Sequence, residues 1–149
     1  MNRSRRTLEM RGVSRRFPSP AGEVQALRGV DLHIDPGEFV AISGPSGSGK
    51  TTLLHLAALL DRPTDGEITL GGVALSTMTD DAIDDLRKEH VGMVFQAFHL
   101  LPRRTVMENV LFRFRYQEGD PAEQHDRARE ALRWVGLEAL ADRQARWLS

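Results

Sequence analysis

Gly44-Pro-Ser-Gly-Ser-Gly-Lys50-Thr51 decides how this chain is read. Glycines at 44, 47 and 49 let successive backbone N–H groups turn toward one point, a conformation that side chains resist and that the oxygens of a phosphate satisfy. Lys50 adds a cation that can reach terminal phosphates, and Thr51 adds a hydroxyl for a magnesium ion. The flanks supply the context this chemistry needs. Before the loop, the turn Asp35-Pro-Gly37 leads into Glu38-Phe-Val-Ala-Ile-Ser43, a short apolar run that predicts a central parallel strand. After it, Thr51-Thr-Leu-Leu-His-Leu-Ala-Ala-Leu-Leu60 lacks glycine and proline and predicts a buried helix, whose positive N-terminal end would face the bound anion. A glycine-rich turn that merely joins strand to helix is the plainer alternative, and these flanks argue against it.

Further out, 7–17 and 24–34 read as extended segments joined by the turn Pro18-Ser-Pro-Ala-Gly22, with Leu27, Val30, Leu32 and Ile34 spaced for a partly buried strand. Glu67-Ile-Thr-Leu70 and Val73-Ala-Leu75 flank Gly71-Gly72 as a small hairpin, which must lie against other structure. Thr79 followed by Asp80 and Asp81 predicts a capped helix to about His90. Val91-Gly-Met-Val-Phe95 then reads as a second buried strand, with Gln96 at its carboxyl end, where open α/β sheets present polar groups to ligands. Thr105-Val-Met-Glu108 fits a capping box opening a helix that contains Val110, Leu111, Phe112 and Phe114. Asp120-Pro121-Ala-Glu123 fits the same capping pattern and opens a last long helix that stops near Gly136, and Trp134 on it reads as a packing residue. There is no internal repeat.

A chain of 149 residues with 40% hydrophobic residues suits one domain with a sizeable core. A net charge of -1 gives no general attraction to nucleic acid or to anionic membranes, so Arg3, Arg5, Arg6, Arg11, Arg15 and Arg16 read as a solvated, basic segment. The absence of cysteine removes disulfides, thiol catalysis and cysteine-ligated zinc. None of the 5 histidines has metal-ligand spacing. The longest apolar run, from Leu53 to Leu60, falls far short of the roughly 20 residues of a membrane-spanning helix, so contact with a membrane is expected through a partner.

In order, Glu38-Phe-Val-Ala-Ile-Ser-Gly-Pro-Ser-Gly-Ser-Gly-Lys-Thr-Thr52, Pro63-Thr-Asp-Gly-Glu67 and Val91-Gly-Met-Val-Phe-Gln-Ala-Phe-His-Leu-Leu-Pro102 resemble ABC-transporter ATPases over nearly the whole chain. Together with Arg104-Thr-Val-Met-Glu-Asn-Val110, they are most similar to the subgroup that drives lipoprotein release and macrolide export. The resemblance implies an incomplete α/β, P-loop NTPase fold of ABC type. It would comprise a nucleotide-binding core with an antiparallel β subdomain over about 1–96, then the Q-loop and the start of a helical subdomain over 97–149. It also implies ATP and Mg2+ as ligands. Gly44, Pro45, Ser46, Gly47, Ser48, Gly49, Lys50 and Thr51 would form the Walker A loop, with Thr52 as a further phosphate contact. Thr51 and Gln96 would attend the magnesium, and Gln96 and Lys50 would stand at the reacting phosphate. Phe17 occupies the place of an adenine-stacking tyrosine, keeping the aromatic face without the hydroxyl, with Val24 near the same position; for Phe17 an ordinary core role remains the alternative. Residues 97–104 would touch a transmembrane permease, placing the protein in the cytoplasm at the inner face of the cell membrane. Two such domains pair head to tail in the intact family.

Leu148-Ser149 resembles the opening of the family's signature sequence. The Walker B aspartate, catalytic glutamate, D-loop and switch histidine of the relatives have no counterpart in the 149 residues, so the resemblance implies ATP binding with little hydrolysis by this chain alone. It also implies a core sheet with uncovered edges, hence marginal stability and a tendency to aggregate. Two other readings stand beside this one: a non-catalytic nucleotide-binding module that regulates a partner, and a non-functional gene fragment. A small nucleotide kinase finds no lid arginines in support.

Overall fold

The computed structural model describes residues 7–96, 100–116 and 119–148. It divides into two compact units, Met1–Val94 and Phe95–Ser149. Arg3, Arg5, Arg6, residues 97–99 of the expected partner loop and Ser149 lie outside the described residues.

The first unit is built on an antiparallel sheet of β1 (Leu8–Ser19), β2 (Gly22–Ile34), β3 (Asp65–Leu70) and β4 (Val73–Ala74), in the order β2-β1-β3-β4. The two long strands follow each other directly in sequence, so their register is set by the tight turn between Ser19 and Gly22 and runs to Leu8 opposite Ile34. Two irregularities face each other across this pair. Gly12, at φ 56°, gives its N–H to Asp31 Oδ1 at 2.7 Å, and Gly29, at φ 58°, gives its N–H to Ser14 Oγ at 2.9 Å. Such bulges coil the ribbon and turn its apolar side inward. Gly66 lies so close to β1 that a Cβ there would stand 2.4 Å from Gly12 O.

The inward face carries Leu8, Met10, Val13, Leu27, Ile68 and Leu70. It meets Leu56 and Leu59 from α1 (Lys50–Ala57) and its end, Leu75, and Ile83 of α2 (Asp80–His90). Thr79 caps α2 by accepting from Ala82 N, as its sequence predicts, and acids in the first turn and bases in the last complement the helix dipole. The end of α1 reverses sharply at Leu59, which is buried yet held at φ 56°, and Arg87 of α2 donates through Nη1 to its carbonyl at 2.9 Å. Glu67 joins the hairpin to the turn Leu75–Thr77: burial pushes its carboxyl up, but hydrogen bonds from Ser76 and the Ile68 amide outweigh this and hold it below the ordinary range.

Two expectations are corrected. Residues 38–43 and 91–95 belong to no ladder, and Phe39 and Val94 are 93% and 99% exposed. A strand is stabilised by the hydrogen bonds of a neighbour, and among the described residues none lies alongside either run. Val91 alone of the second run packs against the core of the first unit.

The second unit centres on α3 (Val106–Leu111) and α4 (Pro121–Trp134). Val106, Met107, Ala128 and Leu132 are its buried core, with Phe114, Leu137 and Leu148 packed against them. The capping box at α3 is present in full: Thr105 Oγ1 accepts from Glu108 N at 3.0 Å, and Glu108 Oε2 accepts from Thr105 N at 2.7 Å. That backbone bond, followed by the one from Arg104, holds the Glu108 carboxyl below its ordinary value. The expected longer helix stops at Leu111 and tightens into a 3-10 segment over Phe112–Tyr116, leaving Phe112 exposed while Phe114 packs. Asp120 caps α4 by accepting from Ala122 N at 3.1 Å, a simple cap in place of the expected reciprocal box with Glu123, and Gly136 at φ 71° follows the helix end. Trp134 is 80% exposed, so it is not a packing residue of this unit: the buried stripe of α4 passes through Ala128 and Leu132, and Trp134 falls off that stripe. Among the described residues no helix is long and apolar enough to cross a membrane.

Candidate phosphate-binding site

The loop 44–51 enters from the unpaired run and leaves as α1. Gly44, Gly47 and Gly49 have φ of 152°, 78° and 89°, conformations that L side chains rarely adopt. Space as well enforces glycine at one of them. A Cβ on Gly49 would stand 2.5 Å from Ala26 O and 3.0 Å from Leu27 Cδ2, whereas one on Gly44 would meet at 2.9 Å only Ser48 Oγ, which can rotate aside. The loop is therefore seated on β2 at Ala26 and Leu27. Ser48 N–H turns to Pro45 O at 3.3 Å, and Leu53 N–H to Gly49 O at 2.9 Å begins the helix ladder. The amides of Lys50, Thr51 and Thr52 precede that ladder, the position from which helix N-termini bind anions.

Lys50 folds back over the loop. Its Nζ donates to Gly44 O at 2.9 Å, Pro45 O at 2.6 Å and Ser48 Oγ at 3.4 Å. Loop carbonyls thus hold an ammonium group directly above a turn of glycines. A polyphosphate offers that ammonium stronger, charged acceptors than two carbonyls do. Thr51 is exposed at the first turn of the helix, and Thr52 is half-buried behind it.

Phe17 and Val24, placed near one position by the resemblance, are cross-strand partners on β1 and β2. Val24 lies two residues along β2 from Ala26, on which Gly49 rests, so the pair stands about 7 Å along the strand from the phosphate loop. Phe17 is half-buried and Val24 exposed, and neither belongs to the core cluster. Sequence reasoning missed what lies against the ring. The Arg15 guanidinium sits 4.6 Å from its centroid and pairs with Asp61, Nε to Oδ2, at 2.8 Å. The period of two along a strand put Arg15 and Phe17 on one side, but nothing in the sequence pointed to Asp61. The other arginines of β1 are also paired, Arg11 with Glu9 at 2.7 Å and Arg16 with Asp65 at 2.6 Å.

Gln96, the second residue of the second unit, is exposed and in a bend. The described part of the expected partner loop, 100–104, is pinned to α3. Asn109 accepts from Leu101 N at 2.8 Å and donates to Leu101 O at 3.1 Å, and Arg104 pairs with Glu108 at 2.8 Å. Leu101, Arg104, Glu108, Leu111, Phe112 and Arg115 line an open groove of about 300 Å³ there. Among the described residues no cluster of histidine and acidic side chains could by itself hold a metal ion.

A family model described as "ABC transporter" matches residues 27–149. The macrolide export ATP-binding/permease protein MacB of Rhodopseudomonas palustris (strain HaA2) is 46% identical over 132 residues, 88% of this chain and 20% of that protein. The lipoprotein-releasing system ATP-binding protein LolD of Anaeromyxobacter dehalogenans (strain 2CP-C) is 42% identical over 144 residues, 96% of this chain and 60% of its own length. Among solved structures, the ATP-binding cassette MJ0796, dimeric in a post-hydrolysis state with ADP and Pi, superposes with a TM-score of 0.85 at 36% identity, covering 95% of this chain and 63% of that one. The chain thus spans about a fifth of the first relative and about three fifths of the other two.

Proposed function

We propose that this chain, which belongs to the ABC transporter family, binds the phosphates of ATP in the loop 44–51 and contributes that binding to transport by a membrane permease. The observation that carries the reading is Lys50 Nζ held between Gly44 O and Pro45 O above a loop with no room for a side chain at 49 and a left-handed backbone at 47 and 49. In this reading the amides of Gly47 to Thr51 and the Lys50 ammonium neutralise the phosphate tail, Thr52 adds a hydroxyl, and the base lies on Phe17 beside Val24. A magnesium ion would be held on the first unit by the Thr51 hydroxyl, and it would supply charge neutralisation between phosphates. A loop of amides, a lysine and a hydroxyl suits a metal that arrives with its nucleotide and keeps most of its waters, rather than one caged by carboxylates.

The groove beside 100–104 supports a permease contact in the second unit, since it joins apolar Leu101, Leu111 and Phe112 to charged Arg104 and Arg115. The names of the relatives favour export or lipoprotein release as the process served. The dimeric cassette favours pairing of two copies, at the cytoplasmic face of the membrane.

Calorimetry with magnesium and ATP tests the reading. The wild-type chain is expected to give a saturable heat, and Lys50→Ala to weaken binding at least about tenfold by removing a charge-assisted contact of ~1.5–3 kcal/mol. Folded wild-type protein that gives no heat sinks it.

A further inference from the structure

Arg15 is set between two groups that nothing else joins. On one side its guanidinium lies 4.6 Å from the centre of the Phe17 ring. On the other, Nε stands 2.8 Å from Asp61 Oδ2, both side chains being mostly withdrawn from solvent at 24% and 29% exposure. That Nε is buried and makes no hydrogen bond, so charge and the ring face, rather than an aligned N–H, hold the guanidinium in place. Asp61 follows the end of α1, the helix that begins in the phosphate loop. Opposite Arg15 on β2 is Leu27, which the last glycine of that loop touches. The arginine therefore lies at the junction of the aromatic ring, the loop's seat and the far end of its helix.

We propose that Arg15 is a positioning residue for the base of the nucleotide: anchored by Asp61, it covers one face of Phe17 and fixes the ring so that its remaining face is a rigid stacking platform. The inference rests on the nucleotide-binding reading of the loop. A ring already held in one rotamer loses little freedom when a base stacks on it, whereas a free phenyl ring must be immobilised by the ligand. A cation on the covered face polarises the ring as well. The arginine touches neither phosphate nor loop, so its effect is confined to ligands that carry a base.

The test compares ATP with inorganic tripolyphosphate, each with magnesium, on the full chain by calorimetry. Wild type is expected to prefer ATP, and Phe17→Ala to abolish that preference. Arg15→Ala is expected to weaken ATP by about threefold to tenfold and leave tripolyphosphate unchanged, Asp61→Asn to do the same more weakly, and Arg15→Lys to recover most of the loss. In a Phe17→Ala background, Arg15→Ala is expected to have no further effect on ATP. Should Arg15→Ala not fold, Arg15→Met, which retains the apolar stem, takes its place. Equal weakening of both ligands, or an unchanged ratio in every Arg15 variant, overturns the proposal while the phosphate site stands. Wild-type protein that binds neither ligand overturns the nucleotide reading itself, and this inference with it.

Discussion

Ile68 and Val94 are both β-branched residues in short apolar runs, yet the first is 0% exposed and the second 99%. Ile68 belongs to β3, whose ladder partner β1 holds Met10 opposite it, and the pair is covered by α1 and α2. Val94, like Phe39 in 38–43, has no strand beside it among the described residues. Being a strand is thus a property of a pair. Where the partner lies close in sequence, as β2 does for β1, the sheet forms within the unit; where no partner is at hand, the same composition stays outside any sheet and wet. Helices are the third case, because their ladder is internal and they need only caps and one covered face.

If that contrast is real, substitutions should divide accordingly. Ile68→Ala is expected to cost ~2–5 kcal/mol by leaving a cavity between sheet and helices, read as a lower denaturation midpoint in urea. An effect below about 1 kcal/mol would place Ile68 outside any packed core. Thr105→Ala probes the internally satisfied class: loss of the capping oxygen should cost ~1 kcal/mol, visible as faster hydrogen exchange at the first amides of α3 while the sheet is untouched. Acid sharpens the same point. The folded Glu108 carboxyl lies below its ordinary 4.5, so its stabilisation is complete above that value and fades as pH falls through the lower, folded value. The stability difference between wild type and Glu108→Gln should hold steady near neutrality and close below pH 4.5. The smallest effect is expected at Val94→Asp and Phe39→Ser, within ~0.5 kcal/mol in this chain, since neither side chain leaves water on folding. A larger loss at either position would show that it is buried in solution and would break the contrast.

What was legible in advance follows the same division. The hairpin about Gly71 and Gly72, the caps at Thr79, Thr105 and Asp120 and the long ribbon closing at Gly22 are each written within a few residues, and each is present. The loop 44–51 was legible because three glycines, a lysine and a threonine at that spacing answer one chemical demand. The two central strands were misjudged because apolar composition reports an appetite for burial, not the neighbour that satisfies it. Phe17 and Val24 could be named from the resemblance, and their pairing follows from the turn through Ser19–Gly22 and Pro18–Glu23 without a shift; the three bulge-like shifts farther along, between Met10 and Arg16, are what alternation alone does not count. The Arg15–Asp61 contact joins residues on separate elements, and no local pattern encodes it.

The reversal at Leu59 makes that position an evolutionary bottleneck. Its backbone, at φ 56°, suits glycine, while its side chain, 3% exposed in the core, suits leucine, and no residue serves both demands. Drift there can pass through glycine only by opening a void, and through valine or isoleucine only by worsening a strain of roughly 1–2 kcal/mol. Because Arg87 reaches across to the same carbonyl, the reversal is braced from α2 as well as from α1.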